Sequence, residues 1–374
     1  MTTTMPLAGR AASDADYERL GLSRDTIAPW EDGARTDGGR GSFEWWYFDA
    51  HLDDGAALVV VFQTKDFTEP QKPLAPLVRI NLDLPDGRSL QKAQRFAPGS
   101  YSAATDHADV RMAGNRFEGD LHVYHITAAI DEVSVEVTLT RQVPSWRPGT
   151  GHVYFGADQA HTFAWMPAVP QGTAEVRYRV GDEIHEGAGI GYHDHNWGNA
   201  ALQKLIHDWY WARGQAGPYS VITSYETAHE KYGYAPITSF MLARDGHVVA
   251  GDAAKVAFTR EDVHTDDKTG KPVADVLRYS YQDGDDRYVV TYEREQDLTR
   301  DRLIDGVHGI KRLAATLAGF DGAYLSFSGQ CRVQYFRGHA GGGVRGQGDL
   351  GAHVLRARAV STRRAGWQRQ RGCG

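Results

Sequence analysis

Residues 186–198 read EGAGIGYHDHNWG, from Glu186 to Gly198. In an extended chain, side chains alternate between two faces. Tyr192, Asp194 and Asn196 then share one face, and His193, His195 and Trp197 the other. Asp194 has an imidazole on either side in sequence, expected to donate to it or to hold it ionised. The small residues Gly187, Ala188, Gly189 and Gly191 are expected to let a ligand approach the backbone closely. The glycines resemble a phosphate loop only superficially. No helix with the required start follows, which excludes nucleotide binding.

Upstream of this stretch the pattern is of period two, which signals antiparallel sheet. Phe43–Leu52 (FEWWYFDAHL) reads as a strand, Asp53-Asp54-Gly55 as a turn and Ala56–Phe67 as its hairpin partner. Leu77–Leu84, Ala108–Ala113, Arg116–Ile130 and Val133–Val143 alternate in the same way. Ser145–Ala160 reads as a loop, and strands resume at His161–Met166 and Thr173–Val180. Downstream, Asn199–Ile206 is a connector, and Asp208-Trp209-Tyr210-Trp211 repeats the acid-then-three-aromatics pattern of Glu44-Trp45-Trp46-Tyr47. Each copy is followed by a turn and a β-rich strand, which predicts two copies of one β-domain. Further strands are expected at Ile237–Ala243, His247–Ala250, Lys255–Phe258, Val276–Gln282, Arg287–Glu293 and Ala323–Phe336, with a polar loop at Glu261–Pro272 and a short helix at Gly309–Ala318. The expected fold class is all-β, as two consecutive lipocalin-like antiparallel barrels or sandwiches. The expected divisions are a flexible leader over 1–40 with a short helix near Asp14–Leu22, an N-terminal β-domain over 41–198, a C-terminal β-domain over 199–336, and a tail over 337–374.

The chain has 374 residues, a length at which two domains are the default. A net charge of −7 argues against nucleic acid as a partner. Two cysteines, Cys331 and Cys373, give neither a disulfide framework nor a zinc spacing. No apolar run is long enough for a signal peptide or a transmembrane segment, so a cytoplasmic protein is expected. Aromatic residues stand out, with 9 Trp and 18 Tyr. The pattern sets no oligomeric state.

The tail breaks character. Residues 337–374 hold eight Arg, ten Gly and a single acid, Asp349. The rest of the chain carries 33 basic against 47 acidic residues, a net charge of −14. One expectation is a disordered basic tail. The other is a frameshift near codon 338. Back-translation of Val344–Arg358 with common codons, read from two bases earlier, gives EFEGKAIWELMYFGR, which is strand-like. The coding DNA decides between them. A frameshift would leave the second β-domain with an open edge.

The pair EWWYF (Glu44–Phe48) and GYHDHNWG (Gly191–Gly198) resembles the AttH/carotenoid 1,2-hydratase superfamily of tandem lipocalin-like proteins, which includes lipocalin-type Diels–Alderases. The resemblance covers roughly residues 40–336. It implies a hydrophobic pocket and either acid-catalysed hydration of an isoprenoid double bond or cyclisation of a bound polyene. Neither reaction needs a cofactor. The expected function is therefore that of a cofactor-independent lyase or cyclase acting on a hydrophobic polyene or isoprenoid small molecule, in natural-product or carotenoid-type metabolism.

Within that expectation Asp194 is the candidate general acid, since protonating an alkene needs a carboxyl held protonated by desolvation beside Tyr192 and Trp197. The alternative for Asp194 is a structural turn cap or histidine partner. His193 or His195 is expected to orient Asp194 or a water. The two share a face and can bind one metal together, but no spacing singles out a third ligand, so no metal is expected. Glu44 is expected on the same cavity, against the alternative of a strand-end surface charge. Trp45, Trp46, Tyr47, Tyr192, Trp197, Trp209 and Trp211 are candidates for an aromatic wall that stabilises developing positive charge, against the alternative of plain core. The rival function is a carrier of lipophilic ligands without chemistry.

Overall fold

The computed structural model describes residues 7–302, 322–338, 352–353 and 357–359. The expected helix at Gly309–Ala318 lies outside the described residues.

The first sheet is built from β1 (Ala8–Arg10), β2 (Phe43–Leu52), β3 (Ala57–Gln63), β4 (Leu77–Asp83), β5 (Ser89–Arg95), β6 (Tyr101–Ala103), β7 (Ala108–Met112), β8 (Asn115–Gly119), β9 (Val123–Ile130), β10 (Val133–Arg141), β11 (His152–Phe155), β12 (His161–Val180) and β13 (Glu183–Gly198). They are ordered β5-β4-β3-β2-β13-β12-β10-β9-β8-β7-β6, with β11 joining β1 and β12 at one side. Alternation drives the curl. On β9 and β10, Tyr124, Ile126, Ala128 and Ile130 face inward beside Val133, Val135, Val137 and Leu139, all buried. Trp46, Phe48, Phe62, Phe117 and Tyr124 fill the interior.

β13 is the central strand, flanked by β2 and β12. Its glycines serve that position. A Cβ on Gly189 would lie 2.0 Å from the His51 carbonyl oxygen, and one on Gly191 would lie 2.6 Å from Leu139 Cδ1. The space beside these glycines is taken by the neighbouring strand and by core side chains, not kept for a ligand as expected from sequence.

Four further differences have simple causes. The two strands expected at 161–166 and 173–180 are one, because register shifts around Val169 absorb Pro167 and Pro170. The single strand expected at 116–130 is two, broken where Leu121 takes φ 74°. β11 lies within the expected loop 145–160. Residues 8–40 are not a separate flexible leader. β1 pairs with β11, a helix α1 (Asp14–Leu20) is capped by a Ser13–Asp16 capping box, and a 3₁₀ turn at Pro29–Asp32 buries both of its acids.

The second sheet comprises β14 (Ile206–Ala216), β15 (Tyr219–Ala228), β16 (Pro236–Arg244), β17 (His247–Ala250), β18 (Val256–Thr265), β19 (Pro272–Asp283), β20 (Asp286–Arg302), β21 (Ala323–Arg337), β22 (Ala352–His353) and β23 (Ala357–Ala359). A single helical turn, α2 (Leu202–Leu205), precedes it. Its order is β17-β16-β15-β14-β23-β21-β20-β19-β18, with β22 beside β14. This order runs in step with the first sheet's β5-β4-β3-β2-β13-β12-β10-β9-β8. β14 takes the place of β2, and β23 that of β13. The repeat of aromatic strands thus sits on a repeat of topology. The described part of the tail occupies the slot of the central strand rather than being wholly disordered; the rest of 337–374, beyond residue 338, lies outside the described residues. The expected polar loop at 261–272 is partly strand, since β18 runs to Thr265.

By compactness the chain divides into two units. One runs to Leu205 and takes in residues 218–222 and 239–253; the other holds 206–217, 223–238 and the chain from Ala254.

Candidate functional site

The register of β13 against β2 assigns the candidate residues to two faces. Asp194 pairs with Tyr47, His195 with Trp46 and Trp197 with Glu44. Paired residues of antiparallel strands point the same way, so Tyr47, Asp49, Tyr192, Asp194 and Asn196 share one face. Trp165, paired with Asn196 from β12, joins them.

On that face Asp194 is only 9% exposed. Its Oδ2 accepts hydrogen bonds from the Tyr192 hydroxyl at 2.7 Å and from Trp165 Nε1 at 2.9 Å, and its Oδ1 accepts from Asn196 Nδ2 at 2.7 Å. The Tyr47 hydroxyl donates to Asp49 Oδ2 at 2.9 Å, and the Tyr47 and Tyr192 rings meet edge to face at 6.3 Å. Burial, and then the Asp194 charge, push the Tyr192 phenol well above its ordinary pKa, so it serves as a donor.

The opposite face holds a second polar cluster, fully buried. His193 Nδ1 lies 2.9 Å from the Tyr47 carbonyl oxygen and Nε2 lies 3.0 Å from Asp32 Oδ2. His195 Nε2 lies 2.8 Å from Glu44 Oε1, and its Nδ1 lies 3.4 Å from Asp32 Oδ1. Asp32 also accepts from the Tyr124 hydroxyl at 2.6 Å. Glu44 accepts from the backbone N–H groups of Arg35 at 2.6 Å and Thr36 at 2.9 Å. Trp46 stacks on His195 at 4.5 Å between ring centres. Burial would raise the Asp32 carboxyl, but the charge and hydrogen bond of His193, with the His195 imidazole alongside, outweigh it and hold the carboxyl below its ordinary value. Burial likewise works against the His195 imidazolium, but pairing with the Asp32 and Glu44 carboxylates outweighs it and raises the imidazole's pKa.

Several expectations change. Neither imidazole touches Asp194 through the contacts above; each reaches an acid on the other face, because neighbours in an extended strand diverge. Glu44 is not a surface charge and does not share Asp194's face; it anchors residues 35–36. The aromatic wall divides, with Trp45, Tyr47 and Tyr192 on the Asp194 side and Trp46 and Trp197 on the other. Trp209 and Trp211, both half-buried, belong to the second unit on β14. Among the described residues no group of three or more His, Cys, Asp or Glu side chains is arranged to hold a metal ion, and no helix is long and apolar enough to cross a membrane.

Sequence reasoning missed Asp32, Tyr124 and Trp165. The usable signal for Asp32 was Pro29-Trp30-Glu31-Asp32, a tryptophan and two acids behind a helix-starting proline within an otherwise polar segment.

A family model described as Diels-Alderase-like matches residues 39–291. The chain belongs to the Diels-Alderase-like family. Among curated relatives, this Diels-Alderase-like chain is 29% identical over 195 residues to the quinolone epoxide rearrangement protein asqO of Emericella nidulans, covering 48% of this chain and 53% of that protein. It is 38% identical over 55 residues to the quinolone epoxide rearrangement protein penF of Penicillium thymicola, covering 15% of each. The chain thus spans about half the length of the first relative and less of the second. Its fold is similar to the crystal structure of CghA, with a TM-score of 0.58 at 16% identity over 87% of this chain and 90% of that one. A putative AttH from Nitrosomonas europaea also gives 0.58, at 15% identity over 91% and 97%. Kievitone hydratase from Nectria haematococca gives 0.52, at 12% identity over 90% and 93%. At these identities the likeness is one of fold. In this Diels-Alderase-like protein the matched span holds both β2 and β13, while Asp32 lies before it.

Proposed function

We propose that this chain is a cofactor-independent isomerase or cyclase, with hydratase-like lyase chemistry as a related outcome, acting on a hydrophobic unsaturated small molecule. The observation that carries this reading is the cluster of Asp194 with three neutral donors, Tyr192, Trp165 and Asn196, at 2.7–2.9 Å. Three donors fix the carboxyl in one orientation, with both of its oxygens acting as acceptors. That departs from the general acid first expected. In the present reading Asp194 takes a proton from the substrate and returns it at another atom, so the reaction needs no net proton and no cofactor. The names of the relatives narrow the substrate class. Both asqO and penF are quinolone epoxide rearrangement proteins, so a substrate with a strained, polarised ring beside an aromatic lactam is the specific form of the proposal.

The test is mass spectrometry of products from the purified protein, offered a panel of aryl-lactam epoxides and linear polyenes. An isomer of unchanged mass supports rearrangement or cyclisation, and a gain of one water supports hydration. Asp194→Asn is expected to cut turnover by roughly 10²-fold or more. Ligand returned unaltered by the wild type would favour the carrier instead.

A further inference from the structure

A cavity of about 200 Å³ lies within the first unit, next to Trp197. Trp197 belongs to the face of β13 opposite Asp194. The floor is buried and consists of Met166, Trp197, Glu31, Arg147 and Thr150. The rim is half-buried and includes Leu20, Leu22, Trp30, Arg35 and His152, so a small molecule can enter between the helix α1 segment and the sheet.

Size and shape limit the ligand. An apolar cavity of about 150 Å³ suffices for benzene, so this one takes a single substituted ring. Leu20, Leu22, Met166, Trp30 and Trp197 supply its apolar wall.

The polar lining sets the charge. Two guanidinium groups, Arg35 and Arg147, face one carboxyl, Glu31. His152 adds no charge near neutrality, because burial lowers its pKa, and its Nδ1 is held by the Thr150 carbonyl oxygen at 2.9 Å. A guanidinium has five N–H donors. Arg35 directs Nε to Gly33 O at 2.9 Å and Nη2 to Thr105 O at 2.5 Å, and it stacks on Trp30 at 4.9 Å. Arg147 donates from Nη2 to the Ser23 carbonyl. Its Nε stands 3.1 Å from Glu31 Oε2 but outside hydrogen-bond geometry, and it has no hydrogen-bond partner although the residue is only 8% exposed. A buried guanidinium whose Nε is ion-paired but not hydrogen-bonded still has donor capacity for a further acceptor.

We propose that this cavity is a binding site for a single-ring aromatic carboxylate, whose ring lies between Trp30 and Trp197 and whose carboxylate is met by Arg147 and Arg35. It is separate from the reaction site proposed at Asp194.

Isothermal titration of the full-length protein with sodium benzoate, and with benzyl alcohol as the neutral comparison, tests this. Benzoate is expected to bind one equivalent, at least about tenfold more tightly than benzyl alcohol, as hydrogen bonds to charged groups allow. Leu22→Trp fills the cavity from its rim and should abolish binding. Arg147→Met alone would remove the ion-pair partner of the buried Glu31, so the double variant Glu31→Gln/Arg147→Met is used, since replacing both partners of a buried pair is commonly tolerated. It should erase the preference for benzoate. Asp194→Asn should leave benzoate affinity unchanged. Equal affinity for benzoate and benzyl alcohol, or full binding by a folded Leu22→Trp, would overturn the proposal.

Discussion

Asp32 and His193 are 161 positions apart in the chain, and their side chains are 3.0 Å apart in the core. This contact closes a network in which Asp32 also meets Tyr124 and His195, and in which Glu44 meets His195 and the backbone of residues 35–36. The segment before β2 is thereby tied to the central strand. Asp32→Ala would take the Tyr124 phenol's acceptor and the carboxylate that faces both imidazoles, at sites with almost no solvent, leaving His193 only the Tyr47 carbonyl and His195 only Glu44. We expect a loss of about 3–5 kcal/mol, as for breaking a buried charge pair. Tyr124→Phe removes one donor and spares the charges, so it should cost about 0.5–1.5 kcal/mol. Urea unfolding of the two variants checks the ranking, and equal effects would count against the network.

The same network fixes a pH dependence. Asp32 is held below its ordinary value, so its contribution is present above about pH 4 and is lost as pH falls through its folded pKa. His195 is held above its ordinary value, so its contribution is full below about pH 6.5 and is lost as pH rises through its folded pKa. Stability from this cluster should peak between those limits. Burial raises Glu31, which works against Asp32 on the acid side, so the rising-pH side is the cleaner measurement. Melting temperatures of wild type and His195→Gln should converge as pH climbs above about 6.5. A difference that stays constant to high pH would remove His195 from this role.

Trp165 offers a way to separate orientation from proton transfer at Asp194. Its Nε1 donates to Asp194 Oδ2 at 2.9 Å and lies 3.3 Å from the Tyr192 hydroxyl. Trp165→Phe keeps an aromatic ring but removes that donor, leaving Tyr192 and Asn196 in place. With a substrate identified, kcat is expected to fall about tenfold, the worth of one hydrogen bond to a charged group, with KM little changed. A rise in KM at constant kcat would instead make Trp165 a binding wall.

Much of the fold was legible because half-buried strands carry a period of two. β9 and β10 show it almost without interruption, and the repeat of Glu44–Tyr47 at Asp208–Trp211 pointed to the repeated sheet order. β5 and β18 were missed or cut short because edge strands are exposed and polar, so their sequence has no apolar face to read. The two faces of β13 were legible from alternation alone. What sequence did not carry was the partner of each face. Asp32 meets His193 from far along the chain, and no local pattern encodes such a contact. Adjacency misled for the same reason, since imidazoles next to Asp194 in sequence turn away from it in a strand.

The glycines of β13 provide a last test, because the two readings of them predict opposite results. If they kept room for a ligand, adding a methyl group would mainly weaken substrate binding. Instead, a Cβ on Gly189 would stand 2.0 Å from His51 O and 2.7 Å from Leu52 Cα, both on the backbone of β2. Backbone cannot step aside without breaking the β2–β13 ladder, which pairs Gly189 with Leu52 and carries on to Asp194 and Tyr47. Gly189→Ala should therefore cost several kcal/mol or prevent folding, in the upper tail for single substitutions. Gly187 is the internal control. A Cβ there would meet Leu52 Cδ1 at 3.3 Å, the end of a flexible side chain, so Gly187→Ala should change stability by less than about 1 kcal/mol. Thermal melting of both variants decides it. A well-folded Gly189→Ala with impaired ligand binding would restore the ligand-approach reading and undo the close-packing one.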